Sequence, residues 1–506
     1  MRLLSILLIA AGAASAATSY TATNLEPAGS PYQVANVLAL NNRGQVLVDL
    51  CTNGNCTGAN RLPGVWSNGV ITPLPIPSGY SYIAQPSYYG INDSGTVVGS
   101  LEIPAANNVL YDHVFVWTNG VPNILPDAPL LGAGNICSNS GAYQSGGSSI
   151  SYGINAAGHI VGTTSYPSST PGGPSCRANW VYNGSTFRVL EYGPFSGAGS
   201  LNWPYPEWPF PIPAPCQSLP LGAYPGVSSL AFGAALNDAD VVLQTEQNYF
   251  CGPPYTSPGV PWGSDPFVTQ ANNTYSFLPL GSLAGATGTS VNNVGDVLGS
   301  IDPSHVIIWD NNGIHDLGPS GYGYMNQVGQ VVYLTCETCG GEVTMWQNGV
   351  SAPVQLPSGV AGVPAALNDA GQIVISSAAS YLLTPAGPCA QDVTSQVQIT
   401  RTGFRYNHST GLFNLIGSVT NTSGSPIQGP ISLVVDNLSP NASLDGISGA
   451  TLCEVPQGSP YINIGNIGAG QALAPGASIS GSIEFIDTAQ AGIAYTLRVL
   501  AGQGNR

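Results

Sequence analysis

Few residues in this 506-residue chain are equipped for chemistry, and their types and spacing decide what they can do. All nine basic residues are Arg and no Lys occurs. Schiff-base catalysis and phosphate-gripping P-loop chemistry both need a lysine, so both are excluded. Five His are scattered along the chain. His113 and His305 each precede a Trp by four residues, at one repeated position, which points to a structural hydrogen bond rather than to catalysis or metal binding. His159, His315 and His408 are isolated. No Cys/His grouping has zinc-site spacing, and no Gly-x-Ser-x-Gly, His-Glu-x-x-His or calcium-loop pattern occurs. No catalytic residue, metal or cofactor is therefore expected. Cys336-Glu337-Thr338-Cys339 has the spacing of a redox pair, but it follows a strand and opens no helix, so a structural disulfide is expected. Glu207 and Glu246, read as loop residues, are the acids nearest to a glycosidase pair, which needs two carboxylates about 5–10 Å apart.

Aromatic side chains offer binding chemistry instead. Of eight Trp, five (Trp66, Trp117, Trp180, Trp309, Trp346) recur at one repeat position and are expected to pack in the core. The others, Trp203, Trp208 and Trp262, fall in segments read as long loops. Eight Pro lie within 201–229, so that stretch is stiff and loses little entropy on binding. Trp203, Tyr205, Trp208 and Trp262 are the candidate ligand surface; the Pro-rich stretch reads equally as a lid burying its own rings.

The elements that position these residues repeat. The pattern apolar-Asn-x-x-Gly-x-apolar-apolar occurs at Asn41–Gly44, Asn92–Gly95, Asn155–Gly158, Asn292–Gly295, Asn326–Gly329 and Asn368–Gly371. A seventh copy, Asn237-Asp238-Ala239-Asp240, has Asp in place of Gly, a residue that tolerates left-handed geometry. Asn first and Gly fourth suit a type I turn ending in a left-handed residue, a hairpin connection. A second hairpin with an Asn-Gly turn follows, as in Trp66-Ser67-Asn68-Gly69 and Trp117-Thr118-Asn119-Gly120. Two hairpins per unit make four strands, A to D, and seven units predict a seven-bladed β-propeller. The last unit lacks strand D after Thr384, while Tyr20–Leu25 is an orphan strand before the first. Joining them would close the ring and cover two sheet edges.

At these residues the chain resembles the bacterial extracellular HAF-repeat proteins, whose repeat couples apolar-Asn-x-x-Gly-x-Val-Val-Gly to a later His-Ala-Phe-x-Trp. Ile91–Gly99 and His113–Trp117 match best, with Val114 in place of Ala, and His305–Trp309 is a looser copy. The resemblance covers roughly Thr18–Pro385. It implies secretion and a repeated β-fold, and it carries no catalytic residue.

The flanks differ. Arg2, the apolar run Leu3–Ala13 and the small residues Ala14-Ser15-Ala16 read as a secretory signal peptide over 1–16. The propeller is expected over 17–387. Beyond it the turn motif is absent and longer strands alternate with period two, as at Phe413, Leu415, Gly417 and Val419 and at Ile431, Leu433 and Val435. An immunoglobulin-like β-sandwich is expected over 388–506. The 25 acids against nine Arg give a net charge of −16, which disfavours nucleic acid, and no stretch approaches a membrane span. Ten Cys fit an oxidising compartment. The repeat register pairs them as Cys51–Cys56, Cys137–Cys176, Cys216–Cys251, Cys336–Cys339 and Cys389–Cys453.

In a propeller the A–B and C–D turns share one face, and here they are short and uniform. The B–C and D–A connections on the other face vary in length, and variable loops on a rigid scaffold usually bind. The composite expectation is a secreted, extracellular or cell-surface binding or scaffold protein, its partner a polysaccharide or a cell-surface or matrix protein. Two alternatives stand beside it: a secreted glycosidase or lyase, and a self-assembling envelope-layer protein.

Overall fold

The computed structural model describes residues 19–506 apart from 53–55, 57–59, 86–87, 105–109, 127–146, 167–175, 191–229, 250–260, 279–285, 302–304, 321–322, 336–340, 409, 454, 466 and 469. The Asn-x-x-Gly segments form the turns that their spacing predicts. In all seven, the Asn N–H donates to the carbonyl four residues on, and the fourth residue's N–H donates back to the Asn carbonyl. The fourth residue is left-handed, with φ from 71° at Gly44 to 91° at Gly295 and 58° at Asp240. The Asn Oδ1 accepts the backbone N–H of the residue four positions on in every copy, closing the turn on itself.

Each turn joins the first two strands of an antiparallel sheet. Among the described residues, seven such sheets follow one another up to Pro385. The first is Tyr32–Leu40, Val46–Thr52, Arg61–Ser67 and Val70–Pro73, and the others repeat its up-and-down order. In the second sheet the first strand is split into Ser81–Tyr82 and Gly90–Ile91. The first strand of every sheet packs against the first strands of both neighbours in an unbroken circuit, so these strands line an axis. The architecture is a β-propeller.

The recurrent Trp explains how neighbouring sheets are held. Trp66 packs with Val374 and Leu382 of the last sheet, Trp117 with Leu47 and Leu74 of the first, and Trp180 with Val98 and Val114 of the second. Trp309 and Trp346 continue the pattern against Leu243 and Leu298. Each indole thus reaches from its third strand into the preceding sheet, and all five are 5% exposed or less. In the second, third and fifth sheets room for it comes from the Gly at the third position of the second strand, Gly99, Gly162 and Gly299. A Cβ on Gly162 would lie 2.4 Å from the Trp180 ring, and one on Gly299 2.6 Å from the Trp309 ring.

Closure follows the sequence reading. Tyr20–Asn24 pairs antiparallel with Tyr381–Pro385, from Tyr20 opposite Pro385 to Asn24 opposite Tyr381, as fourth strand of the last sheet. Leu25 is fully buried at the seam, and its N–H donates to Ser380 O at 2.9 Å.

From Ala390 onward two sheets share one core of Leu415, Val419, Leu433, Ile483, Phe485 and Val499 with their neighbours. One sheet orders Gln391–Asp392, Thr496–Ala501, Ile431–Asp436, Pro460–Asn463 and Gly449–Ala450; the other is built on Leu412–Asn421 and Ser478–Ile486. Alternation in Ile431–Asp436 predicts one buried face, yet all six residues are buried. Its outer face is covered as well: Val434 packs on Ala390, Leu500 and Tyr461, and Ser432 accepts the Arg506 Nε–H at 2.8 Å. The sandwich rests on the short-turn end of the propeller. Ala450 N–H donates to Asp369 O at 3.2 Å, Asn505 Nδ2 donates to Pro385 O at 3.0 Å, and Gly458 abuts the Asn42 backbone, where a Cβ would sit at 2.9 Å.

A chain starting at Pro31 loses the closing strand and exposes two sheet edges. Its melting temperature is expected to fall by roughly 10 °C or more; thermal unfolding followed by circular dichroism measures this, and an unchanged midpoint removes the closure strand's structural role.

Candidate functional site

The circuit of first strands brings the seven turns together around the axis, and their side chains interlock. Asn41 Nδ2 donates to Asn92 O at 2.9 Å, Asn92 to Asn155 O at 3.3 Å, Asn155 to Asn237 O at 3.1 Å and Asn237 to Asn292 O at 3.0 Å. Asn326 donates to Asn368 O at 3.0 Å and Asn368 to Asn41 O at 2.9 Å, which returns the chain of bonds to its start. Asn292 turns its amide instead to Asp296 Oδ2 at 2.9 Å. All seven Asn are 6% exposed or less.

A second circuit runs through the next residue of each turn. Its backbone N–H donates to the side-chain oxygen of the equivalent residue in the following turn: Asn42 to Asp93, Ala156 to Asp238, Asp238 to Asn293, Asn293 to Gln327, Gln327 to Asp369 and Asp369 to Asn42, at 2.7–2.9 Å. The seventh link would need Ala156 as acceptor, and Ala156 has no side-chain oxygen. Six of the seven residues at this position (Asn42, Asp93, Asp238, Asn293, Gln327, Asp369) carry the required oxygen, a signal present in the sequence beside the Asn-x-x-Gly pattern.

The second circuit gathers acids. Asn42 Nδ2 bridges Asp93 Oδ2 at 3.0 Å and Asp369 Oδ2 at 2.7 Å, and Asn293 Nδ2 donates to Asp238 Oδ2 at 2.8 Å. Burial pushes Asp93 above the usual carboxylate range, only partly offset by the Asn42 hydrogen bonds. Burial, helped by the Asp93 and Asp238 charges, raises Asp369 to about 7 despite hydrogen bonds from Gln327 and Asn42.

The fourth turn, where Asp240 stands in place of Gly, uses its carboxylate. His159 Nδ1 lies 2.8 and 3.0 Å from the two Asp240 oxygens, and Asn155 Nδ2 donates to Asp240 Oδ1 at 3.2 Å. Arg188 Nη2 donates to Asp240 O at 2.7 Å. The structure therefore gives the isolated His159 a buried partner in the next sheet. His305 bonds within its own sheet, Nδ1 lying 3.2 Å from both Asp316 oxygens, as its repeat position implies. His113 meets Tyr80 edge to face at 6.2 Å, and His315 Nε2 lies 3.1 Å from Asp310 Oδ1.

Two loop assignments are corrected. Trp262 lies in strand Pro261–Thr269 and Glu246 in strand Val242–Tyr249, where Glu246 pairs in register with Asp265. The second strand runs on to Tyr249 and captures the following Pro-Trp-Gly-Ser-Asp-Pro stretch, whose loop-like composition concealed it. Trp203, Tyr205, Trp208 and Glu207 lie outside the described residues. Cys51–Cys56 and Cys389–Cys453 are formed, with Sγ–Sγ distances of 2.01 and 2.04 Å. The other three Cys pairs fall on or reach residues outside the described set. No helix among the described residues is long and apolar enough to cross a membrane.

No protein-family model and no curated protein matches the chain. Among solved structures, the Dos1 propeller is similar at 10% identity and a TM-score of 0.37, over 74% of this chain and 96% of that one. A Trypanosoma rangeli sialidase in complex with the inhibitor DANA is similar at 11% identity and 0.31, over 96% and 88%. Prolyl oligopeptidase B from Galerina marginata, bound to a macrocyclization substrate, is similar at 10% identity and 0.38, over 78% of this chain; the match spans 57% of that enzyme's length.

Asn368→Ala removes both a turn cap and an inter-turn donor, and is expected to cost about 2–4 kcal/mol in chemical denaturation. The exposed Asn311→Ala should stay within about 0.5 kcal/mol. The raised Asp369 sets a pH dependence. It ionises less readily folded than unfolded, so its contribution is most favourable below its ordinary value of 3.8 and is lost as pH rises towards about 7. Melting temperature should fall across that interval, and Asp369→Asn should flatten the fall.

Proposed function

We propose that this is a secreted, non-catalytic binding or scaffold protein. In this reading a seven-bladed propeller presents variable loops to a polysaccharide or to a cell-surface or matrix protein, and an immunoglobulin-like C-terminal module holds it in place. The observation that carries the proposal is the seat of the sandwich. It covers short turns at Asn42 and Asp369, so binding in this reading falls to the opposite face. The Pro-rich aromatic segment 201–211 has a composition that suits flat sugar rings or an extended protein segment. The two formed disulfides fit an extracellular location, and the signal-peptide pattern and HAF-like repeats favour export. The axial acids are engaged by backbone and amide donors, which argues for structure over catalysis at the axis.

A glycan-array screen of the mature protein tests the reading. Trp203→Ala, Tyr205→Ala and Trp208→Ala are each expected to weaken binding to the ligand it identifies by about tenfold, consistent with a loss of about 1–3 kcal/mol per ring, while leaving the melting temperature unchanged. Unfolding on each substitution would instead favour a lid. Turnover of any polysaccharide in the panel would establish the enzyme alternative, and a large assembly by size-exclusion mass measurement the envelope-layer one.

A further inference from the structure

The short-turn face carries a site of its own. Where the sandwich meets the first and last sheets, a cleft of about 560 Å³ remains. That is within the range of small-molecule sites, roughly 300–1,000 Å³. Its walls come from three parts of the chain: Thr21 and Thr23 on the closing strand, Arg43 and Trp66 on the first sheet, and Gln457 and Asn505 on the sandwich.

Two wall groups are without a counterpart. Trp66 is 3% exposed, and its indole N–H is buried with no hydrogen-bond partner. Two of its equivalents are satisfied: Trp117 Nε1 donates to Pro75 O and Trp180 Nε1 to Thr164 Oγ1, both at 2.9 Å. A buried donor of this kind favours an incoming acceptor. Arg43 is exposed, and its guanidinium makes no hydrogen bond or ion pair among the described residues, although its charge tempers Asp93. A standing cation at a cleft in a chain of net charge −16 selects for an anion. The remaining groups suit hydroxyls. Gln457 and Asn505 each spend an amide N–H on a backbone carbonyl, Leu452 O at 2.7 Å and Pro385 O at 3.0 Å, which leaves their side-chain oxygens to accept.

We propose that this cleft binds an acidic oligosaccharide, a carboxylate on Arg43 and sugar hydroxyls on the amides and on the Trp66 N–H. The site is separate from the loop face and stands or falls independently of it. Isothermal titration of the mature chain with trigalacturonic acid, against neutral galactotriose, tests it. Trigalacturonate is expected to bind and galactotriose to bind at least tenfold more weakly. Arg43→Gln should weaken trigalacturonate at least tenfold, and Gln457→Ala and Trp66→Phe about threefold. Arg43 and Gln457 are exposed, so their variants keep the test intact if Trp66→Phe fails to fold. Trp208→Ala should leave this binding unchanged. No binding by the wild-type chain, equal binding of the neutral sugar, indifference to Arg43→Gln and Gln457→Ala together, or loss with Trp208→Ala would each overturn the assignment.

Discussion

A single amide side chain sets the geometry on which the propeller depends. The first Asn of each turn uses its oxygen to close its own hairpin and, in six of seven copies, its Nδ2 to grip the carbonyl of the Asn in the next turn. One residue type thus specifies both the turn and the spacing between neighbouring sheets. Asp or Ser could cap the turn but has no N–H₂ to pass on, and Gln is too long to do both. Because the bonds run head to tail round the axis, removing a sheet would leave its neighbours' turns without the partners they now hold. The Trp stack supplies apolar adhesion between sheets; the Asn circuit supplies register.

The same circuit carries an electrostatic cost. Its second layer needs an oxygen at each step, and Asp supplies it at three of seven positions. Burial and the charge of Asp238 raise Asp93 and Asp369, Arg43 tempers Asp93, and all three carboxylates are held by backbone N–H groups and by Asn42 and Asn293 amides. Amides between carboxylates keep the acids apart while satisfying their lone pairs. The fourth turn solves a related problem differently. Asp240 accepts left-handed geometry, at some strain relative to Gly, and in return ties His159, Asn155 and Arg188 to the turn, at a place where the long connection 191–229 separates consecutive sheets in sequence.

Much of this architecture was legible because it is local and repeated. Asn-x-x-Gly with apolar flanks encodes turn, hairpin and strand within eight residues, and the missing fourth strand after Thr384 points to the orphan strand Tyr20–Leu25, of which Tyr20–Asn24 pairs. Inter-turn partners were less visible, since Asn42 and Asp369 are 327 residues apart and only ring closure makes them neighbours. The repeat did hold a signal: a side-chain oxygen at the second turn position in six of seven copies. Trp262 and Glu246 were misplaced because Pro and Gly mark loops only where no strand is on offer, and the extended second strand of the fourth sheet offered one. The candidate ligand rings depend on loops whose composition states stiffness and aromaticity but not direction.

The seat of the sandwich turns this fold into an oriented object. An isolated propeller has two usable ends. Here the last sheet ends at Pro385, beside the first turn, and the chain re-enters as a strand at Gln391, with the Cys389–Cys453 bridge pinning the entry to the segment that meets the propeller. So short a connection leaves the sandwich little choice of partner surface. The buried outer face of Ile431–Asp436 follows: the C-terminal residues overlay it, and its polar members are paired, Ser432 accepting from Arg506 and Asp436 from Arg498. The docked module creates the Arg43–Trp66 cleft on the face it covers, a cleft that neither part has alone because Gln457 and Asn505 come from one and Thr21 and Trp66 from the other.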